Sequence, residues 1–171
     1  TLAHFEPPEL PKEQFVLANI HRFENLSRSE NWRTIQKTLF AAAANHPVYL
    51  VLHPQTRRKL EVEDLMEKFR ERGVHLMERL PFTQFAHWLH ACHYLISDGG
   101  SNQEESFYLG KPALLLRKTT ERQEGLNVNA FLSHLDWPLI QGFLENPEAY
   151  RTQPLASNEA TSQIILDSLR S

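Results

Sequence analysis

Apolar runs alternate with amphipathic segments along most of this chain. Five short runs are largely apolar, at residues 15–20, 48–52, 74–77, 94–96 and 113–116. Apolar residues at helical spacing predict helices over residues 29–45, 62–72, 82–92 and 103–109, and weaker patterns predict a strand at 131–132 and helices at 139–144 and 158–169. Strands that are apolar throughout and alternate with helices are typical of a parallel sheet covered on both faces. The pattern therefore predicts an α/β domain with about six parallel strands.

The first thirteen residues differ from the rest, because they combine Pro7, Pro8 and Pro11 with charged residues. Proline lacks a backbone donor and restricts its neighbour, so this stretch is predicted to be an irregular lead-in or linker. Residues 14–171 then form one domain, as suits a chain of 171 residues. The chain begins at Thr1 without a leader pattern, and we expect a processed protein or a piece excised from a longer one.

Composition argues against several classes of protein. Lys and Arg number 18 against 21 Asp and Glu, a net charge of −3, which argues against a nucleic-acid partner. No apolar run reaches the roughly 18 residues of a membrane span. The single cysteine, Cys92, excludes a disulfide framework and a cysteine-based zinc site, and it fits a reducing, cytoplasmic location. His87, His90 and His93 do not stay on one helical face, so no metal site is predicted.

The strongest local signal is Asp98-Gly99-Gly100-Ser101, between a buried strand and a helix. Glycines allow the backbone to approach a ligand closely, and a helix start offers unpaired amides and a positive dipole to phosphate. The alternative is a plain turn in which Ser101 or Asn102 caps the helix. The stretch matches neither the Walker motif nor the dinucleotide fingerprint, so no nicotinamide cofactor is expected.

Glutamate and histidine side chains expected near the same end of the sheet are further candidates for ligand binding or catalysis. Glu104 and Glu105 are expected in the first turn of the following helix, where they either complement its dipole or hold a pair of vicinal hydroxyls, as on a ribose. His21 follows the first strand, where an imidazole either donates a proton, binds phosphate or serves only the structure of the loop. Because the carboxyl ends of parallel strands meet at one edge, these groups are expected to lie together.

Five motifs occur in order along the chain: His21-Arg22-Phe23-Glu24-Asn25, His53-Pro54-Gln55-Thr56-Arg57, residues 98–105, Leu109-Gly110-Lys111-Pro112 and Thr119-Thr120-Glu121-Arg122. Over about residues 15–150 the chain resembles the C-terminal half of the UDP-N-acetylglucosamine 2-epimerase family. The resemblance implies a Rossmann-like three-layer domain that is one half of a glycosyltransferase-B type fold. In that family the nucleotide lies in the cleft between two halves and is held mainly by the C-terminal one.

The resemblance also implies roles for individual residues. His21 would lie by the diphosphate and the sugar, as a ligand and a proton donor to the leaving phosphate. The turn at Gly99, Gly100 and Ser101 would hold the phosphates through backbone amides. Glu105 would hold the ribose hydroxyls.

Two more residues receive roles from the same resemblance. The backbone around Phe85 would contact uracil, and Arg122 would lie near the phosphates. The family usually has Asp-Ser-Gly-Gly where this chain has Asp98-Gly99-Gly100-Ser101. The serine hydroxyl is therefore displaced by two positions, to Ser101.

The family's reaction interconverts UDP-N-acetylglucosamine and UDP-N-acetylmannosamine by eliminating and re-adding UDP. Its proton-abstracting acids belong to the N-terminal half, which this chain lacks, so the isolated chain is expected to be inactive. The expected partners are UDP or a UDP-N-acetylhexosamine and the missing N-terminal domain, with a homodimer left open. Two alternatives also stay open: the donor domain of a glycosyltransferase that uses an NDP-sugar, and a non-catalytic module that binds a nucleotide sugar.

Overall fold

The computed structural model describes residues 8–155, and its strands lie close to where the apolar runs predict them. The strands are β1 (Val16–Asn19), β2 (Val48–Leu52), β3 (Val74–Glu78), β4 (Tyr94–Ser97), β5 (Ala113–Leu115) and β6 (Ala130–Leu132). They form one six-stranded sheet in the order β3-β2-β1-β4-β5-β6, and each neighbouring pair is parallel. The predicted parallel α/β fold is confirmed.

The strand order reverses between β1 and β4, and this reversal determines where a ligand can bind. Val16 of β1 is paired with Val48 of β2 on one side and with Tyr94 of β4 on the other. The connections that follow β1 and β4 leave toward opposite faces of the sheet, which opens a crevice at their carboxyl ends. In open α/β sheets such a switch point is the usual ligand site.

The helices cover both faces of this sheet. Within the described residues they are α1 (Phe23–Ser27), α2 (Ser29–Ala43), α3 (Pro54–Val62), α4 (Met66–Glu71), α5 (Phe82–Ala91), α6 (Gly100–Leu109) and α7 (Trp137–Glu145), and a 3₁₀ turn spans Pro147–Tyr150. Side chains of α2, α3, α4 and α7 join the apolar core on one face, and those of α5 and α6 join the core on the other. The predicted three-layer arrangement is therefore confirmed.

Consecutive residues of β1 show why the strands are apolar throughout. Ala18 packs into the core beneath α2 with Ile35 and Leu39, whereas Leu17 packs into the opposite core with Trp88. All of these side chains are at most 3% exposed. Because the inner strands have a core on both sides, apolar and polar positions do not alternate along them, whereas the edge strand β3 exposes His75 and Glu78.

Two helix predictions were wrong in their bounds. The helix expected over residues 62–72 is the shorter α4, and the helix α3 that precedes it was not predicted; a turn in which Asp64 has a left-handed φ of 53° separates the two. The short helix α1 was not predicted. The helix expected at residue 103 begins three residues earlier, at Gly100. The predicted helix over residues 158–169 and the first seven residues of the lead-in lie outside the described residues, so the division into lead-in and domain stays a prediction.

The last described segment is bonded to the end of α6. The Thr152 amide donates to the Gly110 carbonyl at 3.0 Å, and the Leu155 amide donates to the Tyr108 carbonyl at 3.0 Å. Gly110 ends α6 with a left-handed φ of 66°, and a Cβ there would lie 2.1 Å from the Thr152 carbonyl oxygen. Glycine at this position is therefore required both by its backbone conformation and by the segment that crosses it.

Candidate functional site

A cavity of about 550 Å³ lies at the carboxyl ends of β1 and β2, between the first turns of α5 and α6. We call it the large cavity. Of the seven predicted site residues, its lining contains His21, Phe85, Ser101 and Glu105. The other three lie at or near the start of α6 and do not line it. The predicted convergence of strand ends on one site therefore holds for these four residues, whereas their individual roles stay predictions.

The start of α6 leaves backbone amides available beside this cavity. Gly99 is the N-cap residue in an extended conformation, and the first amide bond within the helix runs from Gln103 to the Gly99 carbonyl at 3.3 Å. The amides of residues 100–102 thus precede the helical ladder. The Gly99 amide instead donates to Ser97 Oγ at 3.0 Å. The alternative cap at Ser101 or Asn102 was wrong, because both residues lie inside the helix.

Both glycines at this helix start allow a close approach of other groups. A Cβ at Gly99 would lie 3.0 Å from His21 Nε2 and 3.3 Å from Asn102 Oδ1. A Cβ at Gly100 would lie 3.2 Å from Cγ of Arg122. The small residues therefore let His21 and Arg122 pack directly against the turn.

The two adjacent carboxylates of α6 have different surroundings. Glu104 accepts a hydrogen bond from Arg122 Nη1 at 2.7 Å, whereas half-buried Glu105 lines the large cavity and accepts one from Asn102 Nδ2 at 3.2 Å. Burial raises the pKa of the Glu105 carboxyl above its ordinary value, and the nearby charge of Glu104 raises it further. Both were expected in the first turn, but the helix begins at Gly100 and they fall in its second turn.

A polar network that the sequence did not reveal forms the floor of the large cavity. Asn19, at the end of β1, donates to Asn102 Oδ1 at 2.6 Å, and Ser97 Oγ donates to the same oxygen at 2.9 Å. His53 Nε2 lies 2.6 Å from Asn19 Oδ1, which can only accept, so the imidazole donates from Nε2. Desolvation, with smaller contributions from His21 and Arg79, lowers the pKa of His53 to about 4. His53 is therefore neutral near pH 7.

His21 is positioned through its backbone by a fully buried carboxylate. Its amide donates to Asp98 Oδ1 at 3.1 Å, and the amide of Arg22 donates to Asp98 Oδ2 at 2.9 Å. The His21 ring stays partly exposed, with Nε2 3.9 Å from Asp98 Oδ1 and its centroid 4.6 Å from that of His53. An imidazole held in this way beside a helix start is suited to contact an anionic group.

The first turn of α5 forms the opposite wall of the large cavity. The Phe85 ring lines this wall, but its amide is engaged by the Pro81 carbonyl at 2.9 Å. Exposed Phe82, which also lines the wall, is the first residue of the helix. Unpaired backbone groups in this region thus belong to the residues that precede Phe85 in α5.

Gln103 is a further residue whose importance the sequence did not show. Its buried Nε2 donates to the carbonyl of Arg122 at 3.1 Å and to that of Glu124 at 2.9 Å, and its Oε1 accepts from Thr120 at 3.0 Å. These bonds hold the loop after β5 against α6. Gln103 therefore positions Arg122 without lining the large cavity.

Between residues 8 and 155, no group of three histidine, cysteine or acidic side chains could hold a metal ion. No helix in that part of the chain is long and apolar enough to cross a membrane.

The parallel sheet, its switch point and the open start of α6 place this chain in the class of Rossmann-like α/β domains. The sequence model of the UDP-N-acetylglucosamine 2-epimerase family matches residues 3–134, which is more than half of the chain. The chain belongs to that family.

Curated relatives and solved structures agree with this assignment. The chain is 29% identical to UDP-N-acetylglucosamine 2-epimerase of Bacillus subtilis and 30% identical to that of Neisseria meningitidis serogroup A, covering 92% and 90% of this chain and 44% of each relative. A structure of the N. meningitidis epimerase bound to UDP-GlcNAc matches with a TM-score of 0.68, 28% identity and coverage of 92% of this chain and 44% of that one.

A more distant structure supports the fold alone. The UDP-GlcNAc 2-epimerase from Methanocaldococcus jannaschii matches with a TM-score of 0.78 at 21% identity, over 95% of this chain and 47% of that one. The chain thus spans about half the length of the relatives that it matches. Its fold is one half of the glycosyltransferase-B type, as the resemblance implied.

Proposed function

We propose that this chain is the UDP-binding half of a UDP-N-acetylglucosamine 2-epimerase, and that the large cavity holds the uridine. One observation carries the proposal: in a chain of this family, the Glu105 carboxylate and the open start of α6 border the same cavity. A carboxylate can accept hydrogen bonds from two neighbouring hydroxyls, and a helix start can bind phosphate. A nucleoside diphosphate carries both groups.

Different residues in the first turns of α6 bind different parts of the nucleotide. Glu105 accepts hydrogen bonds from the ribose hydroxyls. The amides of Gly100 and Ser101 donate to phosphate oxygens, since the Gly99 amide is engaged by Ser97. The Ser101 hydroxyl, which borders the large cavity, takes the place of the serine that the family usually has at position 99.

Three other residues complete the proposed site. His21 contacts the diphosphate and donates a proton to the departing phosphate. The backbone that precedes Phe85 contacts uracil. Arg122, held over Gly100 by Glu104 and by the loop that Gln103 fixes, adds positive charge on the phosphate side.

In the complete protein we propose that a base removes the proton from C2 of the sugar as the bond from C1 to the UDP oxygen breaks. UDP then adds back to C1, and a proton returns to the opposite face of C2. The acids for this proton transfer belong to a second half, so the 171-residue chain has no epimerase activity alone. We place the complete protein in the cytoplasm, which its buried cysteine suits.

Calorimetric titration of this chain with UDP tests the nucleotide site. Glu105→Gln removes a charged acceptor, and a hydrogen bond to a charged group contributes about 1.5–3 kcal/mol, so UDP affinity should fall by roughly 10- to 100-fold. The matched control is Glu71→Gln, an exposed carboxylate on α4 that does not line the large cavity, and it should leave affinity within about threefold. Absence of UDP binding at millimolar concentration, or equal loss in both variants, would contradict the proposal.

The products of the complete protein test the reaction. Incubation with UDP-N-acetylglucosamine, followed by NMR, should give UDP-N-acetylmannosamine, and deuterium from the solvent should appear at C2. Release of free N-acetylmannosamine would identify a hydrolysing member. Transfer of the sugar to an acceptor would instead support a glycosyltransferase, and absence of any product would support a binding module. Light scattering on the same protein determines whether it is a homodimer.

A further inference from the structure

A second cavity of about 160 Å³ opens near the carboxyl ends of β1 and β5. We call it the small cavity. It shares no lining residue with the large cavity and has less than a third of its volume. Four cationic side chains and one carboxylate contribute to its lining: Arg22, Arg28, Arg117, Lys118 and Glu24.

The positive charge of the small cavity is only partly compensated. Arg22 Nε lies 3.7 Å from Glu24 Oε2, which is the one carboxylate in the lining. Arg117 Nη1 makes a long contact of 3.5 Å with the Thr120 hydroxyl. Among residues 8–155, neither Arg28 nor Lys118 has a side-chain hydrogen bond or a close ion pair, although the charge of Arg28 helps to lower the pKa of the Glu24 carboxyl. Desolvation, followed by repulsion from Arg22, lowers the pKa of Arg117 below its ordinary value, although the carboxylates of Asp98, Glu121 and Glu24 act in the opposite direction. An anion in the cavity would relieve this repulsion.

The backbone beneath the small cavity is held rigidly. The Arg22 amide donates to the buried Asp98 carboxylate at 2.9 Å. Asn25, which is buried and lines the cavity, donates from Nδ2 to Asp98 at 3.0 Å and to the Leu116 carbonyl at 2.9 Å. These bonds fix the segment after β1 to the ends of β4 and β5. The guanidinium groups thus extend from a fixed base, which lowers the entropic cost of binding a ligand.

We propose that the small cavity binds a single small oxyanion, a phosphate group, at the same time as the nucleotide occupies the large cavity. Guanidinium groups present paired N–H donors that match the oxygens of phosphate. The cavity of about 160 Å³ has room for one such group. The phosphate is either free in solution or the monoester end of a sugar phosphate. This inference goes beyond the proposed function: the phosphate site stands without it, and only simultaneous occupation with the nucleotide rests on the proposed function.

The test is an NMR titration of the 171-residue chain with inorganic phosphate, repeated with a hexose phosphate and with saturating UDP. We expect saturable binding below about 10 mM, with shifts of the amides of Arg22 and Arg117, and an unchanged affinity when UDP is present. Tighter binding of the hexose phosphate would identify an ester as the ligand, and equal or weaker binding would identify the free anion. Competition between phosphate and UDP would overturn the proposal, because the small cavity would then serve the nucleotide's own diphosphate.

Variants of the lining residues distinguish specific binding of phosphate in the small cavity from nonspecific attraction of phosphate to a basic surface. Arg117→Gln, and the double variant of exposed Arg28→Gln with Lys118→Gln, should each weaken phosphate binding by roughly tenfold or more. Arg58→Gln, an exposed arginine on α3 outside both cavities, is the matched control and should bind normally. The double variant replaces exposed side chains and should stay folded. Equal affinities in all the variants, or no saturation, would overturn the proposal whether or not UDP binds.

Discussion

Replacing Asp98 by asparagine tests the buried carboxylate that positions the segment after β1. Its Oδ2 accepts from the Arg22 amide at 2.9 Å and from Asn25 Nδ2 at 3.0 Å, and its Oδ1 accepts from the His21 amide at 3.1 Å. Asparagine offers one oxygen, so at least one of these three donors would face an NH₂ group. A buried donor without a partner costs about 1–3 kcal/mol, and the remaining bonds lose the assistance of the charge. We therefore expect Asp98→Asn to lower the free energy of unfolding by about 2–4 kcal/mol.

Urea denaturation followed by tryptophan fluorescence measures this change, since Trp32 and Trp88 are buried in opposite cores. The matched control is Asp64→Asn, at an exposed position whose left-handed φ asparagine tolerates. The control should change the free energy of unfolding by less than about 0.5 kcal/mol. If Asp98→Asn were equally mild, the carboxylate would not be what holds the three donors.

Three further predictions concern the large cavity and the core. In Gly99→Ala, the new methyl would lie 3.0 Å from His21 Nε2 and displace that imidazole. Calorimetry should therefore show a UDP affinity roughly tenfold weaker than that of the unchanged chain. Unchanged affinity would argue against a role for His21. His53 has its pKa lowered to about 4 by burial, so the contribution of the neutral imidazole to stability is complete above pH 6.5 and is lost as the pH falls toward 4. The urea concentration at the midpoint of unfolding should therefore decrease as the pH is lowered from 6.5 to 4. In His53→Gln this midpoint should depend less on pH. Burial raises the pKa of the Cys92 thiol to about 11 and shields it from reagents. An aromatic disulfide reagent should therefore modify Cys92 only as fast as the chain unfolds. Rapid reaction of the native chain would refute this.

The apolar runs predicted the sheet well because the inner strands have a core on both sides, so their signal does not depend on knowing which face is buried. Helix α3 was missed for the opposite reason. Only Thr56 and Leu60 are buried in it, which leaves little periodicity among its charges, and His53-Pro54 resembles a strand end although proline suits the first turn of a helix. The start of α6 was placed too late because glycine has a low helix propensity. Its backbone is fixed there by the Ser97 hydroxyl, which sequence spacing does not reveal.

The large cavity was predictable only in part. Residues a short distance after strand ends, such as His21 and Ser101, could be placed at one edge because parallel strands share a direction. The bonds that join Asn19 to His53 and to Asn102 depend on β1 lying between β2 and β4 in register, which no local pattern contains. A polar residue at the end of the apolar run 15–20 was the only available signal for Asn19.

The crossing of Gly110 by the segment at Thr152 has a practical consequence for work on this half alone. A chain shortened to end at Tyr150 would lose both backbone bonds to the end of α6 and uncover a carbonyl of its last turn. The boundary for producing a stable isolated half should therefore lie after Leu155. Conversely, a side chain introduced at position 110 would collide with this segment at Thr152 and displace it.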